Sequence, residues 1–205
     1  SPLSLLITGF APVTDVRKTI TPELKATTEK SDIYLLELSG KMRLGASSLG
    51  QVYNQLGNEC PDVDSAIICK DFFNALIQLK KENLILAYHD RSDGGLITTL
   101  LEMAFTIRKG LNINLTTDQV LAEAFNEEIG VLLQITEKQF SKVNSILKTA
   151  KLEARIHKLA EIREDQKVIV KNKSGQEIYQ NTISNLKSIW SETSYAIQKN
   201  RDNPE

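Results

Sequence analysis

The sequence has little cysteine and little histidine, which limits the metal and redox chemistry that it could carry. Its 205 residues include two cysteines, Cys60 and Cys69, and two histidines, His89 and His157. The cysteines show no Cys-x-x-Cys spacing, and neither histidine lies at the spacing of a zinc site. We therefore expect two reduced, structural cysteines, as in a reducing compartment, and a cytoplasmic protein without a histidine-based metal site.

The sequence also lacks an excess of either charge and any long apolar run. Its 25 basic and 26 acidic residues are spread along the chain, so no basic face suits a nucleic acid. No apolar run approaches the ~20 residues of a membrane-spanning helix. We expect neither nucleic acid nor a membrane as a partner. A hydrophobic content of 41% is ordinary for a globular protein with a sizeable core.

An initiator methionine and the common catalytic motifs are absent as well. The chain opens on Ser1-Pro2-Leu3, and we expect it to be a piece of a longer polypeptide. There is no Gly-x-x-x-x-Gly-Lys-Ser/Thr, no Gly-x-Gly-x-x-Gly and no recognisable Ser/His/Asp set. We therefore assign no catalytic residue.

What is present is a mixture of short apolar runs and amphipathic stretches. The apolar runs predict strands over residues 3–11, 33–38, 84–88, 113–115, 130–135 and 157–162, and a hairpin over 167–171 and 176–180. The amphipathic stretches predict helices over about 48–56, 70–83, 96–108, 117–127, 137–150 and from 182 or 184 to about 197. Because strands and helices do not alternate strictly, we predict one α+β domain over residues 1–199, a mixed or antiparallel sheet covered by helices, with residues 200–205 starting a linker.

One stretch, residues 89–96, combines features that suit phosphate and metal. A predicted strand enters a polar turn that opens a helix, and helix-start amides favour anions. The glycine pair at 94–95 permits close approach of a ligand, and Asp90 and Asp93 are oxygen ligands of the kind Mg²⁺ takes. The alternative carries equal weight: Ser92 or Asp93 is only a helix N-cap, and the glycines only form a turn.

Two further polar clusters lie beside helix or strand ends, at residues 45–48 and 126–128. A carboxylate of the second cluster could reach a site built from strand ends. The competing interpretation, which we favour for this cluster by itself, is a helix end that faces water. We expect His89 to orient its loop or to pack at the strand end rather than to act as a base.

Several segments together resemble phosphoribosylformylglycinamidine synthase, the large purine-biosynthesis amidotransferase. They are SPLSLLITGFAPVTDVRKTITPEL, LGASSLGQVYNQLG, AYHDRSDGGL, EMAF and FNEEIG, and the resemblance extends to the terminal RDNPE. Within that family, the chain looks like the C-terminal subdomain of the second half that resembles aminoimidazole ribotide synthetase. The resemblance implies the fold of that synthetase's C-terminal domain.

The resemblance also implies a function and site residues. The family uses ATP and glutamine to convert formylglycinamide ribonucleotide into formylglycinamidine ribonucleotide. The match of the HDRS loop implies that Asp90 is a Mg²⁺ ligand and that Ser92 contacts the nucleotide, in an auxiliary site that holds ADP as a structural element. The implied partners are a nucleotide subdomain and a glutaminase domain of the same polypeptide.

Two alternatives stay open. The chain could be a free-standing binding or regulatory module that docks to another subunit. It could also belong to another synthetase of the superfamily, such as aminoimidazole ribotide synthetase or selenophosphate synthetase, although HDRSDGG and RDNPE argue against this. With one implied carboxylate ligand, we expect weak Mg²⁺ binding by this chain alone, and an exposed apolar face meant for neighbouring domains.

Overall fold

The computed structural model describes residues 6–202, which form one sheet of seven strands with six α-helices. The strands are β1 (Ser31–Glu37), β2 (Ala87–Asp90), β3 (Gly110–Asn114), β4 (Gly130–Thr136), β5 (Ile156–Arg163), β6 (Lys167–Lys171) and β7 (Glu177–Thr182). The helices are α1 (Ser48–Val52), α2 (Ala66–Lys81), α3 (Gly95–Ile107), α4 (Val120–Phe125), α5 (Glu137–Thr149) and α6 (Ile183–Asp202). Short 3-10 helices occupy Val16–Lys18 and Glu153–Arg155.

The strands are ordered β2-β4-β1-β5-β3-β6-β7. All neighbouring pairs are antiparallel except β3 and β6, which run parallel. The mixed sheet and the covering helices confirm the predicted α+β class. Because β2 is an edge strand, the residues at its end are open to one side of the sheet.

Helices cover the central strands on both faces. In β1, Ile33 and Leu35 belong to a core with α3, whereas Tyr34 and Leu36 belong to a second core with α2 and α5. The side chains alternate between the two cores because successive residues of a strand point to opposite faces. The predicted strand at 33–38 is therefore covered on both faces of the sheet.

Two of the predicted strands differ from those observed. Residues 3–5 of the strand expected at 3–11 lie outside the described range, and residues 6–11 form no strand; Leu6 and Phe10 are more than 90% exposed. A strand needs a partner for its hydrogen bonds, and residues 6–202 offer this segment none. The strand expected at 84–88 begins instead at Ala87 and extends to Asp90. His89 and Asp90 are thus strand residues, not turn residues.

Three helix boundaries also differ. The helix expected to reach residue 56 stops at Val52, since the chain folds back and Ala46 donates its amide to the Leu56 carbonyl at 2.7 Å. The helix expected over 117–127 covers only Val120–Phe125. The last helix continues to Asp202, beyond its expected end at about residue 197, and residues 203–205 lie outside the described range.

The remaining predicted elements are confirmed with shifts in their ends, the largest at α2, which is expected from residue 70 and begins at Ala66. The hairpin of β6 and β7 turns through Gly175, whose φ of +80° suits glycine. The α3 helix ends at Ile107 with Arg108 as its C-cap in the left-handed conformation, and Gly110 begins β3. Across residues 6–202, every helix is too short or too polar to span a lipid bilayer.

The complete burial of β4 leads to a stability prediction. Leu132 is fully buried in the core that includes α3. We expect Leu132→Ala to lower the free energy of unfolding by about 2–5 kcal/mol, because it removes buried apolar surface and leaves a cavity. Urea denaturation measures the change. The control Leu121→Ala, at a side chain that is 62% exposed, should change it by less than ~0.5 kcal/mol; equal effects of the two variants would contradict this account of the core.

Candidate functional site

The edge strand β2 presents Asp90 to solvent at its end. Tyr88 and Asp90 point to the same side, two residues apart, and the Tyr88 hydroxyl donates a hydrogen bond to Asp90 Oδ1. Burial raises the pKa of the Tyr88 phenol, and the hydrogen bond to Asp90 raises it further. The phenol therefore stays protonated and orients the Asp90 carboxylate.

The turn after β2 leads into α3 without a side-chain cap. Ser92 and Asp93 are exposed, and Ser92 Oγ donates to the Asp90 carbonyl at 3.3 Å. The N-cap of α3 is Gly94, with φ of +83° and no side-chain hydrogen bond. The interpretation of Ser92 or Asp93 as a mere N-cap is therefore wrong.

Glu127 joins the two glycine-containing loops. Its Oε1 accepts a hydrogen bond from the Gly94 amide at 2.8 Å and another from the Ser48 amide at 2.9 Å. The start of α3 also lies against the backbone of Phe125, since a Cβ on Gly95 would be 2.5 Å from the Phe125 carbonyl carbon. The three polar clusters singled out in the sequence therefore meet at one place.

Glu128 anchors a third segment to the same place. Its carboxylate is fully buried and accepts hydrogen bonds from Arg43 Nε at 2.5 Å, Arg43 Nη2 at 2.8 Å and Ser39 Oγ at 2.9 Å. Its carbonyl accepts one from Arg91 Nε at 2.5 Å. The interpretation of this segment as a helix end facing water is wrong, because a buried carboxylate requires charged or hydrogen-bonding partners such as these.

The neighbouring His89 faces away from Asp90. Its Nε2 lies 2.9 Å from Glu102 Oε2 on α3, and Trp190 of α6 donates to Glu102 Oε1 at 3.1 Å. His89 thus packs at the strand end, as expected, and links β2 to two helices.

The side chains fit part of a magnesium shell. Residues 6–202 contain no group of three or more histidine, cysteine, aspartate or glutamate side chains arranged to hold a metal ion. Mg²⁺ usually takes one or two carboxylates and fills its shell with phosphate oxygens and water. The exposed Asp90 carboxylate suits the role of such a single ligand. Its other ligands would come from a nucleotide, from water or from another domain.

Sequence reasoning did not find Tyr88 or Arg43. The period of two along β2 would have placed Tyr88 beside Asp90 once the strand was known to reach residue 90. Arg43 had no usable local signal, because its partner Glu128 lies 85 residues further along the chain.

The chain is similar to a known domain family. A family model described as "AIR synthase related protein, C-terminal domain" matches residues 33–173. The whole chain is 46% identical to the phosphoribosylformylglycinamidine synthase of Saccharomyces cerevisiae and 42% identical to that of Schizosaccharomyces pombe. In each case it spans 16% of the relative's length.

A solved structure shares the fold. The structure described as T. maritima PurL complexed with ATP superposes with a TM-score of 0.63 at 14% sequence identity. The match covers 82% of this chain and 27% of that one. At this level of identity, the likeness concerns the arrangement of strands and helices.

The buried Glu128 predicts a pH-dependent stability. Burial alone would raise the pKa of this carboxyl, but the hydrogen bonds from Arg43 and Ser39 outweigh it and hold the pKa below its ordinary value of 4.5. Because the folded-state pKa is depressed, the stabilisation is complete above pH 4.5 and is lost as the pH falls through the lower, folded-state pKa. We expect Glu128→Gln to cost about 3 kcal/mol at pH 7, and to cost less in acid.

Urea denaturation between pH 7 and pH 3 measures this difference. Glu153→Gln is a suitable control, since Glu153 is exposed and makes none of these contacts; it should shift the free energy of unfolding by less than ~0.5 kcal/mol. A cost for Glu128→Gln that stays constant with pH would show that its charge does not matter.

The close approach at Gly95 predicts a second, separable effect. Gly95 and Gly175 both have positive φ, but a Cβ on Gly175 would meet nothing within 4 Å. Each alanine variant bears the left-handed strain of about 1–2 kcal/mol. We expect Gly95→Ala to cost a further ~1–3 kcal/mol from overpacking against Phe125, measured by urea denaturation. An equal loss of unfolding free energy in the two variants would mean that the backbone at Phe125 moves aside at little cost.

Proposed function

Because this chain belongs to the family of AIR synthase related proteins, as their C-terminal domain, we propose that it is one domain of a phosphoribosylformylglycinamidine synthase. The intact enzyme would use ATP and glutamine to convert formylglycinamide ribonucleotide into formylglycinamidine ribonucleotide in purine biosynthesis. The observation that carries the proposal is the identity of 42–46% to the two yeast synthases over the whole chain. Identity at this level over the whole chain supports a shared role.

Within that enzyme, the chain contributes half of a site for Mg²⁺ and ADP. Asp90 is the metal ligand, supported by its exposure and by the Tyr88 hydrogen bond that orients it. Ser92 is the nucleotide contact, supported by its exposed position two residues further on. Mg²⁺ at Asp90 would neutralise the charge of the diphosphate.

We assign this site a structural role rather than turnover. His89, the histidine next to Asp90, is held by Glu102 on the other face of β2 and so is not placed to act as a base at this site. A ligand bound between two domains favours the assembled, folded state by mass action. The site would therefore stabilise the enzyme while the reaction takes place elsewhere.

The partners are the remaining domains of the parent polypeptide, a nucleotide subdomain and a glutaminase domain. Exposed apolar side chains support such docking: Phe73 and Ile77 of α2 are 52% and 51% exposed, and Leu6 and Phe10 are almost fully so. The cytoplasm is the proposed location, supported by two free cysteines.

The test uses the intact parent enzyme, purified without added nucleotide, then denatured and assayed for released ADP. We expect about one ADP per chain at this site in the wild type, and loss of that ADP in Asp90→Asn together with a lower melting temperature, because the bound ligand stabilises the fold.

The matched control is Asp118→Asn, since Asp118 is 87% exposed and its nearest cationic partner, Lys173, is 3.9 Å away. It should keep both the ADP and the melting temperature. If Asp90→Asn keeps both as well, Asp90 is only a strand-end residue and the proposed site is wrong.

A further inference from the structure

Glu127 satisfies two backbone amides from loops that are 46 residues apart in sequence, at Ser48 and at Gly94. One carboxylate oxygen accepts both hydrogen bonds, at 2.9 Å and 2.8 Å. Hydrogen bonds to a charged acceptor are stronger than those between neutral groups. The side chain is therefore a clamp between the loop that starts α1 and the loop that starts α3.

The residues on either side of Glu127 in the chain are themselves held in place. On one side the Gly95 backbone lies against Phe125, leaving no room for a Cβ. On the other side, Glu128 is held by Arg43, and its carbonyl by Arg91. Since residues 125 and 128 are both anchored, the Glu127 carboxylate has little freedom to leave the two amides.

The clamp also changes which groups are available to a phosphate. The sequence pattern favoured helix-start amides as the anion site, but the Gly94 amide is bound to Glu127 and the Gly95 amide donates to the Ser92 carbonyl at 2.9 Å. Neither amide is free for a ligand. The groups on this turn that could still meet a metal ion or a nucleotide include the exposed Asp90 and Asp93 carboxylates and the Ser92 hydroxyl.

We propose that Glu127 is a positioning residue for the Mg²⁺ and ADP site. By holding Gly94 it fixes the far end of the 90–94 turn, while β2 fixes the near end, so that Asp90 and Ser92 are presented in one geometry. This inference rests on the proposed function. It adds that the carboxylate of Glu127 takes the place that a ligand phosphate would otherwise occupy at the Gly94 amide.

The test measures how fast bound ADP leaves the intact parent enzyme after dilution into EDTA. We expect Glu127→Ala to speed release about tenfold or more, because it leaves two amides unpaired and frees the turn. Glu127→Gln keeps an acceptor oxygen in the same position and should stay within about threefold of the wild type. The melting temperature of each variant is recorded beside the release rate.

The matched control is Glu123→Ala. Glu123 also accepts two backbone amides, from Thr116 and Thr117 at 2.8 Å each, but its carboxylate accepts no hydrogen bond from the 90–94 turn. It should lower the melting temperature and leave the release rate unchanged. If Glu123→Ala speeds release as much as Glu127→Ala, the effect is general instability and the inference fails.

Two more outcomes are decisive. If Glu127→Ala releases ADP at the wild-type rate while Asp90→Asn has lost it, the site is real and only the positioning role is wrong. If Asp90→Asn also retains ADP, the proposed function fails together with this inference. Should Glu127→Ala not fold, Glu127→Asp replaces it, because its shorter side chain cannot reach both amides; a wild-type release rate in that variant overturns the proposal.

Discussion

Two adjacent glutamates between α4 and β4 hold the site region together. Glu127 accepts amides from the starts of α1 and α3, and Glu128 pairs with Arg43 and Ser39 while its carbonyl binds Arg91. A buried carboxylate is costly unless it is paired and hydrogen-bonded. The loops that supply those partners therefore cannot move away without leaving a buried charge or an unpaired amide. This constraint makes one rigid unit from segments that lie far apart in sequence.

Side chains at the end of the edge strand β2 point alternately to the two faces of the sheet. Tyr88 and Asp90 point to one side, and His89 and Arg91 to the other, because side chains alternate along a strand. On one side Asp90 is exposed and oriented by a phenol; on the other, His89 meets Glu102 of α3 and Arg91 meets the Glu128 carbonyl. The short HDRS segment thus combines an exposed carboxylate with one partly buried and one buried contact to the rest of the domain.

The chain spans 16% of the yeast synthases to which it is similar, and its surface agrees with a role as one domain among several. Asp90 is a single exposed carboxylate, which suits a site that a neighbouring domain completes. Apolar side chains of α2, the helix that precedes β2 in the chain, also stay exposed. In the proposed function, a metal-bridged nucleotide between domains couples ligand binding to assembly by mass action.

The sequence by itself determined the elements whose signal is local. Alternating or continuous apolar residues located β1 and β4, helical periodicity located α2, α3 and α5, and Asn172 to Gly175 located the hairpin. It also singled out the three polar clusters and, through the resemblance, Asp90 and Ser92, whose roles stay proposed.

Only the tertiary structure decided that residues 6–11 form no strand, that α1 ends at Val52, and that Glu127 and Glu128 face the loops rather than water. These outcomes depend on partners such as Arg43 and Gly94, 85 and 33 residues away from the glutamates. The periodicity of apolar residues indicates which face of a segment is buried, but not which distant group will satisfy its hydrogen bonds.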